Sequence, residues 1–159
     1  MPNRVDLIKE AKFHTHSVVL WPARWQEYIH SDGFSWQVFP FDTGSTQNVP
    51  DSPGVYAFCV HPNVAALDAR YVMYIGETER SLRTRFREYL DESEDPSGRP
   101  RLTDMLLNPY KGFLCFVCAA LIPPLLPKEI EKGLLNTFIP PMNTQLPSEV
   151  RQIIHAFGN

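Results

Sequence analysis

Tyr71 to Gly76, Tyr-Val-Met-Tyr-Ile-Gly, is an aromatic and β-branched run that ends on a glycine, the composition of a strand. It has a counterpart upstream. From Val55 to Val60, the residues Val55, Ala57 and Cys59 alternate with Tyr56, Phe58 and Val60, directly after Gly54. Two adjacent strands, each with a tyrosine beside a glycine, bring two phenols to one end of a small antiparallel sheet. The segment that follows, to Leu90, predicts a helix with Ser81 as its N-cap. The expected fold is therefore α+β, a small three-stranded antiparallel sheet flanked by helices, with an N-terminal extension.

The third strand is expected within Gly112 to Ile122, an apolar run that reads as a buried central strand. Cys115 and Cys118 lie on it with the spacing of redox and zinc motifs. On a strand, however, residues three apart face opposite sides, so two buried structural cysteines are expected instead. Arg101 to Leu107 predicts a short helix ending before Asn108 and Pro109, after a polar loop from Asp91 to Pro100. Pro127 sits where a first helical turn tolerates proline, Lys128 to Phe138 is the helix, and Pro140 and Pro141 end it. Pro147 and Ser148 open a C-terminal helix whose apolar side is Val150, Ile153, Ile154 and Phe157, closed by Gly158. His61 to Arg70 is a long surface connection with a helical turn at Val64 to Asp68.

Residues 1–50 carry no recognisable motif. Phe13 to Leu20 alternates enough for a strand, and Ala23 to Ile29 predicts a short helix after Pro22. Trp21, Trp25, Tyr28, Trp36 and Phe39 give this extension an aromatic surface that must pack on something, the edge of the domain's own sheet being the expected partner. His14 and His16 share one face of that expected strand, a pattern that suits either a shared metal or, preferably, a solvated face. Asp42 to Pro53 reads as a linker into a core domain at 51–146, which the C-terminal segment 147–159 follows.

Two charged side chains stand out by their helical phase. On the helix from Lys128, at 100° per residue, Ile130, Leu134, Leu135 and Phe138 span an arc of about 140°, and Glu131 falls inside it whereas Glu129 and Lys132 point away. A carboxylate on an apolar side is costly unless a cation or several donors meet it, so Glu131 is a candidate metal ligand, or a buried partner of an arginine. On the earlier helix Leu82, Phe86 and Leu90 mark the core side. Arg85 and Tyr89 lie beside that stripe, while Arg83 and Arg87 turn towards solvent. Arg85 can thus present a bidentate fork, suited to a phosphodiester, at the sheet end where the tyrosines gather.

The ordered set Gly54–Val55–Tyr56, Tyr74–Ile75–Gly76, Leu82 with Arg85, Glu131, and Asn143 twelve residues after it resembles the GIY-YIG nuclease superfamily, from Ser52 to roughly Gln145. That resemblance implies a metal-dependent endonuclease that hydrolyses phosphodiester bonds of nucleic acid, with DNA expected, in a restriction, repair, mobile-element or defence setting. It further implies a single divalent ion, Mg²⁺ or Mn²⁺, on Glu131. Tyr56 would take the proton from the attacking water, Tyr74 would position the water or the scissile phosphate, and Arg85 would steady the transition state. Tyr89 occupies a position that in relatives is commonly tyrosine or histidine, and Asn143 would hold the ends of the site together through its amide. Gly54 and Gly76 would allow close backbone approach near the substrate. Arg83 and Arg87 are expected either on a solvated face or in non-specific contact with the nucleic-acid backbone. His61 and His155 are left outside the site. The sequence departs from the common pattern in one extra residue between Gly76 and Leu82, and in Glu77 and Glu79, which put negative charge near the phosphate path.

Bulk electrostatics do not draw the chain to a polyanion. Its formal net charge is −3, and residues 51–146 hold ten Lys and Arg against twelve Asp and Glu. Nucleic-acid contact must use a local patch, which Arg80, Arg83, Arg85 and Arg87 supply, with Arg99 and Arg101 beyond. The alternative to a free-standing nuclease is a catalytically silent or partner-dependent binding module on the same fold, and a homodimer or protein partner would provide the missing grip. No run approaches the roughly eighteen apolar residues of a membrane span, three cysteines are an odd number, and the cytoplasm is the expected compartment.

Overall fold

The computed structural model describes residues 3–29, 33–63, 69–95, 99–148 and 150–152. Its centre is an antiparallel sheet in the order β1-β4-β2-β3, formed by β1 (Gln37–Pro40), β2 (Gly54–Val60), β3 (Tyr71–Thr78) and β4 (Leu114–Ala120). The sheet therefore has four strands where three were expected. The fourth comes from the N-terminal extension: β1 pairs with β4 from Gln37 opposite Cys118 to Pro40 opposite Cys115, covering an edge that would otherwise be open. Helices α1 (Arg4–Phe13), α2 (Pro22–Ile29), α3 (Leu82–Glu94), α4 (Pro100–Leu102) and α5 (Pro127–Phe138) surround it, and α4 continues into a single wide π turn at Thr103–Leu107.

Strand alternation sorts the core into two layers. Tyr56, Phe58, Phe116 and Cys118 face Leu82, Phe86 and Tyr89 of α3. Val55, Ala57, Cys59, Ile75 and Ala119 face Leu134 and Leu135 of α5. The three cysteines are free, and Cys115 and Cys118 sit one strand position out of phase, as strand geometry requires.

Further expectations are corrected. Phe13 to Leu20 is not a strand: Phe13 ends α1, whose N-cap Asn3 accepts from Val5 N, and no strand pairs with the segment that follows. Asp42 to Pro53 is not a free linker. It makes a 3-10 turn at Thr43–Ser45, buries Val49 completely, and its Pro50 and Ser52 carbonyls accept from the Arg83 and Leu82 N–H groups at the start of α3. The expected loop from Asp91 begins later, because α3 runs on to Glu94. His14, which is exposed, and His16, which is half-buried, each place a ring nitrogen 3.0 Å from the Tyr110 hydroxyl. Residues 148 and 150–152 are helical and Val150 is buried. Val64 to Asp68, His155, Ile153, Ile154, Phe157 and Gly158 lie outside the described residues. No helix among the described residues is long and apolar enough to cross a membrane.

Candidate active site

The two tyrosine-glycine pairs meet across β2 and β3, where Tyr56 is directly opposite Gly76. The Tyr56 ring stacks on Phe116 with centroids 5.1 Å apart and lies over the glycine, so that a Cβ at Gly76 would come within 2.5 Å of its hydroxyl oxygen. Gly76 is thus the seat of the phenol. Gly54 allows close packing: a Cβ there would run into the Ala119 carbonyl oxygen and the Leu82 side chain. Replacing Gly76 by alanine is expected to push the Tyr56 ring off its seat and to cost about 1–3 kcal/mol of stability, measurable by urea denaturation.

Helix α3 delivers the arginine. Its N-cap Ser81 accepts from Thr84 N at 3.2 Å and donates to the Asp51 carboxylate at 2.5 Å, which fixes the entry of the helix against the loop before β2. One turn on, Arg85 Nε donates to Tyr56 Oη at 3.2 Å and Nη1 donates to Glu88 Oε2 at 2.8 Å, a carboxylate that Arg80 also holds at 2.8 Å. The guanidinium lies 5.0 Å from the centre of the Tyr89 ring, and that of Arg99 lies 4.9 Å from it. Arg99 Nη1 also donates to Tyr89 Oη at 2.6 Å.

The Tyr56 and Tyr89 hydroxyls are 2.8 Å apart. Both hydroxyls are buried, and either can donate to the other. Tyr56 Oη also accepts from Arg85 and Tyr89 Oη from Arg99; were Tyr56 to lose its proton, Tyr89 would be the donor and the phenolate oxygen would receive two hydrogen bonds. Burial, and after it the neighbouring Tyr74, raises the pKa of Tyr56, while Arg85 and Tyr89 pull it back in part. Burial raises Tyr89 too. For Arg85, burial favours the neutral form, but the two tyrosine oxygens and Glu88 outweigh it and hold the guanidinium charged. The end of the sheet thus presents neutral phenols braced by permanent cations.

Glu131 approaches from the α5 side. It is half-buried and makes no hydrogen bond or ion pair among the described residues. Its carboxyl is pushed up to about 7, first by burial and then by the charge of Glu77, with Lys128 opposing. It opens on a cleft of about 530 Å³ that Lys128, Lys132, Gln145 and Arg151 also line. A hard, partnerless carboxylate would suit the divalent ion that the resemblance implies, with Lys128, Lys132 and Arg151 as opposing charge along the same cleft. The sign of the pH effect follows: a folded-state pKa raised from the ordinary 4.5 to about 7 contributes stability that is complete below 4.5 and lost as the pH rises through about 7. Metal-free protein should therefore melt higher at pH 5 than at pH 8, with the gap narrowed in Glu131→Gln, as calorimetry across that range would record.

Asn143 acts on the backbone. Its Oδ1 accepts from Ile75 N at 2.9 Å and its Nδ2 donates to Ile75 O at 2.8 Å, so one amide clamps the outer edge of β3 between Tyr74 and Gly76. Ile139, left-handed at φ 46° where Pro140 disfavours the ordinary helical region, turns the chain out of α5 towards this clamp. Asn143→Ala leaves both Ile75 groups without their partner and should lower stability by about 1–3 kcal/mol, read as an earlier unfolding midpoint in urea.

Not every expected residue joins the cluster. Arg83, expected towards solvent and substrate, instead donates to the carbonyls of Val49 at 3.0 Å and Gln47 at 3.2 Å and lies 3.5 Å from the Asp51 carboxylate, tying α3 to the preceding loop. Arg87 is exposed, and Tyr74 is half-buried with its ring on the α3 side beside Phe58. Glu88 and Arg99 were missed. Glu88 stands three residues after Arg85, a spacing that could have flagged it, whereas nothing in a polar loop could assign Arg99 to Tyr89. Glu77, half-buried on β3, has its carboxyl pushed up first by burial and then by the charge of Glu79, with Lys128 and Arg85 opposing. No family model matches this chain, and neither a curated protein nor a solved structure matches it.

Proposed function

We propose that this protein is a metal-dependent endonuclease that hydrolyses phosphodiester bonds in nucleic acid, DNA being the expected substrate, on a GIY-YIG-like fold. The observation that supports this reading is the contact of Arg85 with Tyr56 over Gly76, three residues far apart in the chain that the motif resemblance selects, with the partnerless Glu131 on the α5 side of the sheet. Glu131 would hold the Mg²⁺ or Mn²⁺ ion, which would supply Lewis-acid charge to the phosphodiester.

The chain's own residues supply the rest. Arg85 holds a non-bridging phosphate oxygen with the part of its fork that Tyr56 and Glu88 leave open, and it opposes the charge that grows during attack. Water attacks phosphorus as the bond to the leaving oxygen breaks. Its proton passes to Tyr56 in the phenolate form, which the donors Arg85 and Tyr89 stabilise. Because burial raises the Tyr56 pKa, the phenolate fraction, and with it the rate, rises with pH beyond neutrality. Tyr74, half-buried beside Gly76, orients the water or the phosphate.

The net charge of −3 favours one elaboration, in which a second copy or a protein partner provides the grip on the substrate. The test is a panel of end-labelled duplex DNA, single-stranded DNA and RNA incubated with purified protein and Mn²⁺. Cleavage of at least one, abolished by EDTA, supports the nuclease reading. Binding without cleavage by any preparation would replace it with that of a silent module.

A further inference from the structure

His14 and His16, with Thr15 between them, follow directly on α1. His14 is the C-cap of that helix, its N–H held by the Glu10 carbonyl, and the Thr15 hydroxyl donates to the Ala11 carbonyl at 2.7 Å. The backbone is thereby tied down where both imidazoles leave it. From there they converge on one atom far along the chain: His14 Nδ1 and His16 Nε2 each lie 3.0 Å from Tyr110 Oη.

Two nitrogens and an oxygen so arranged are also three ligands of a metal ion. In a tetrahedral site with bonds of about 2.0–2.1 Å, ligand atoms stand about 3.3–3.4 Å apart, so the two contacts to Tyr110 need open by only about 0.3–0.4 Å to receive an ion. The donor set narrows its identity. Imidazole nitrogens with a phenol oxygen suit zinc, nickel or copper, whereas magnesium and calcium take oxygens. The C-terminus of α1 adds the negative pole of a helix beside His14, which favours a cation. Packing gives such an ion a task. Helix α1 buries none of its side chains, and Val5, Leu7, Ile8 and Phe13 stay exposed, so burial does not hold it to the body of the protein.

We propose that His14 Nδ1, His16 Nε2 and Tyr110 Oη bind one zinc ion, with water in the fourth position, and that the ion fastens the N-terminal helix to the rest of the fold. The site is separate from Glu131 and does not depend on the nuclease reading. Without metal, the Tyr110 hydroxyl donates to one imidazole and accepts from the other. With zinc, both imidazoles bind as neutral rings and the phenol releases its proton to solvent.

The experiment is calorimetric titration of the EDTA-treated, dialysed full chain with ZnCl₂ at about pH 7.5, above the ordinary imidazole pKa of about 6.5. Wild type is compared with His14→Ala, His16→Ala and Tyr110→Phe, and with Cys115→Ser and Glu131→Gln as controls for thiol and carboxylate binding. Wild type is expected to take one Zn²⁺ per chain, with affinity weakened at least about tenfold in the three site variants and less than about twofold in the two controls. Zinc should also bring out the near-ultraviolet difference band of tyrosinate in wild type and not in Tyr110→Phe. Thermal melts separate binding from folding: zinc should raise the melting temperature of wild type and of both controls, and leave the site variants where they melt in EDTA. Equal binding by wild type and both histidine variants, or no zinc bound by wild type, overturns the site. A loss confined to Cys115→Ser or Glu131→Gln places the ion elsewhere and overturns it as well. Weakening in the histidine variants with Tyr110→Phe unchanged refutes the phenol as a ligand, and with it the three-ligand site.

Discussion

Arg85→Ala is expected to slow phosphodiester cleavage roughly 100- to 1,000-fold under single-turnover conditions, the usual consequence of removing one preorganised donor from a site of developing charge. The protein should remain folded. Glu88 keeps Arg80, Tyr56 keeps its hydrogen bond with Tyr89, and Tyr89 keeps Arg99, so no buried polar atom of the cluster is stranded. What is lost is a guanidinium that touches the Tyr56 oxygen and the Tyr89 ring together. Arg85→Lys should recover little, because one ammonium cannot span Tyr56, Glu88 and a phosphate as a planar fork does. A second signature is expected in the pH profile. Without Arg85 the Tyr56 phenolate loses one of its two donors, and the alkaline rise in rate moves to higher pH.

Glu131→Gln should be more damaging still, lowering the rate by roughly 1,000-fold or more, since an ion that stabilises the transition state by several kcal/mol depends on this carboxylate. The amide keeps the shape of the side chain while removing its charge. In the absence of metal the variant should therefore be at least as stable as wild type at pH 8, where wild type carries an unpaired carboxylate forced to ionise against a pKa of about 7. Loss of activity with retained or increased stability separates a ligand from a core residue. A rate loss accompanied by an equal fall in melting temperature would instead make Glu131 structural. Matched rate and melting measurements on the one preparation decide between them.

Much of the fold and half of the site were legible before any coordinates, for identifiable reasons. β2 and β3 declare themselves by alternation and by Tyr56 and Tyr74, α3 by Ser81 and the stripe Leu82, Phe86, Leu90, and α5 by proline at both ends. Glu131 and Arg85 were legible because helical phase is local, so a charge on an apolar arc shows in the sequence alone. β1 was not legible. Four residues, Gln37 to Pro40, become a strand only because β4, almost eighty positions later, offers an edge. The alternation from Phe13 to Leu20 misled for the converse reason: the pattern was present and the partner strand was not. Arg83 and Arg99, both expected in the basic patch, are instead taken up by tertiary contacts. Carbonyls of the 47–51 loop take the first, and the Tyr89 hydroxyl takes the second. Glu77 was read as a hindrance because the burial of its carboxylate oxygen exists only once the sheet and its helices are packed together.

Relaxation of supercoiled plasmid in Mn²⁺, followed for wild type, Arg85→Ala and Glu131→Gln purified side by side, tests the central claim most directly. Nicked and linear products from wild type alone, with both variants folded by circular dichroism, are the predicted result. Equal cutting by all three would mean that the observed cleavage does not come from this site, and intact plasmid in every lane, together with intact RNA, would contradict the reading of the chain as a nuclease that acts by itself.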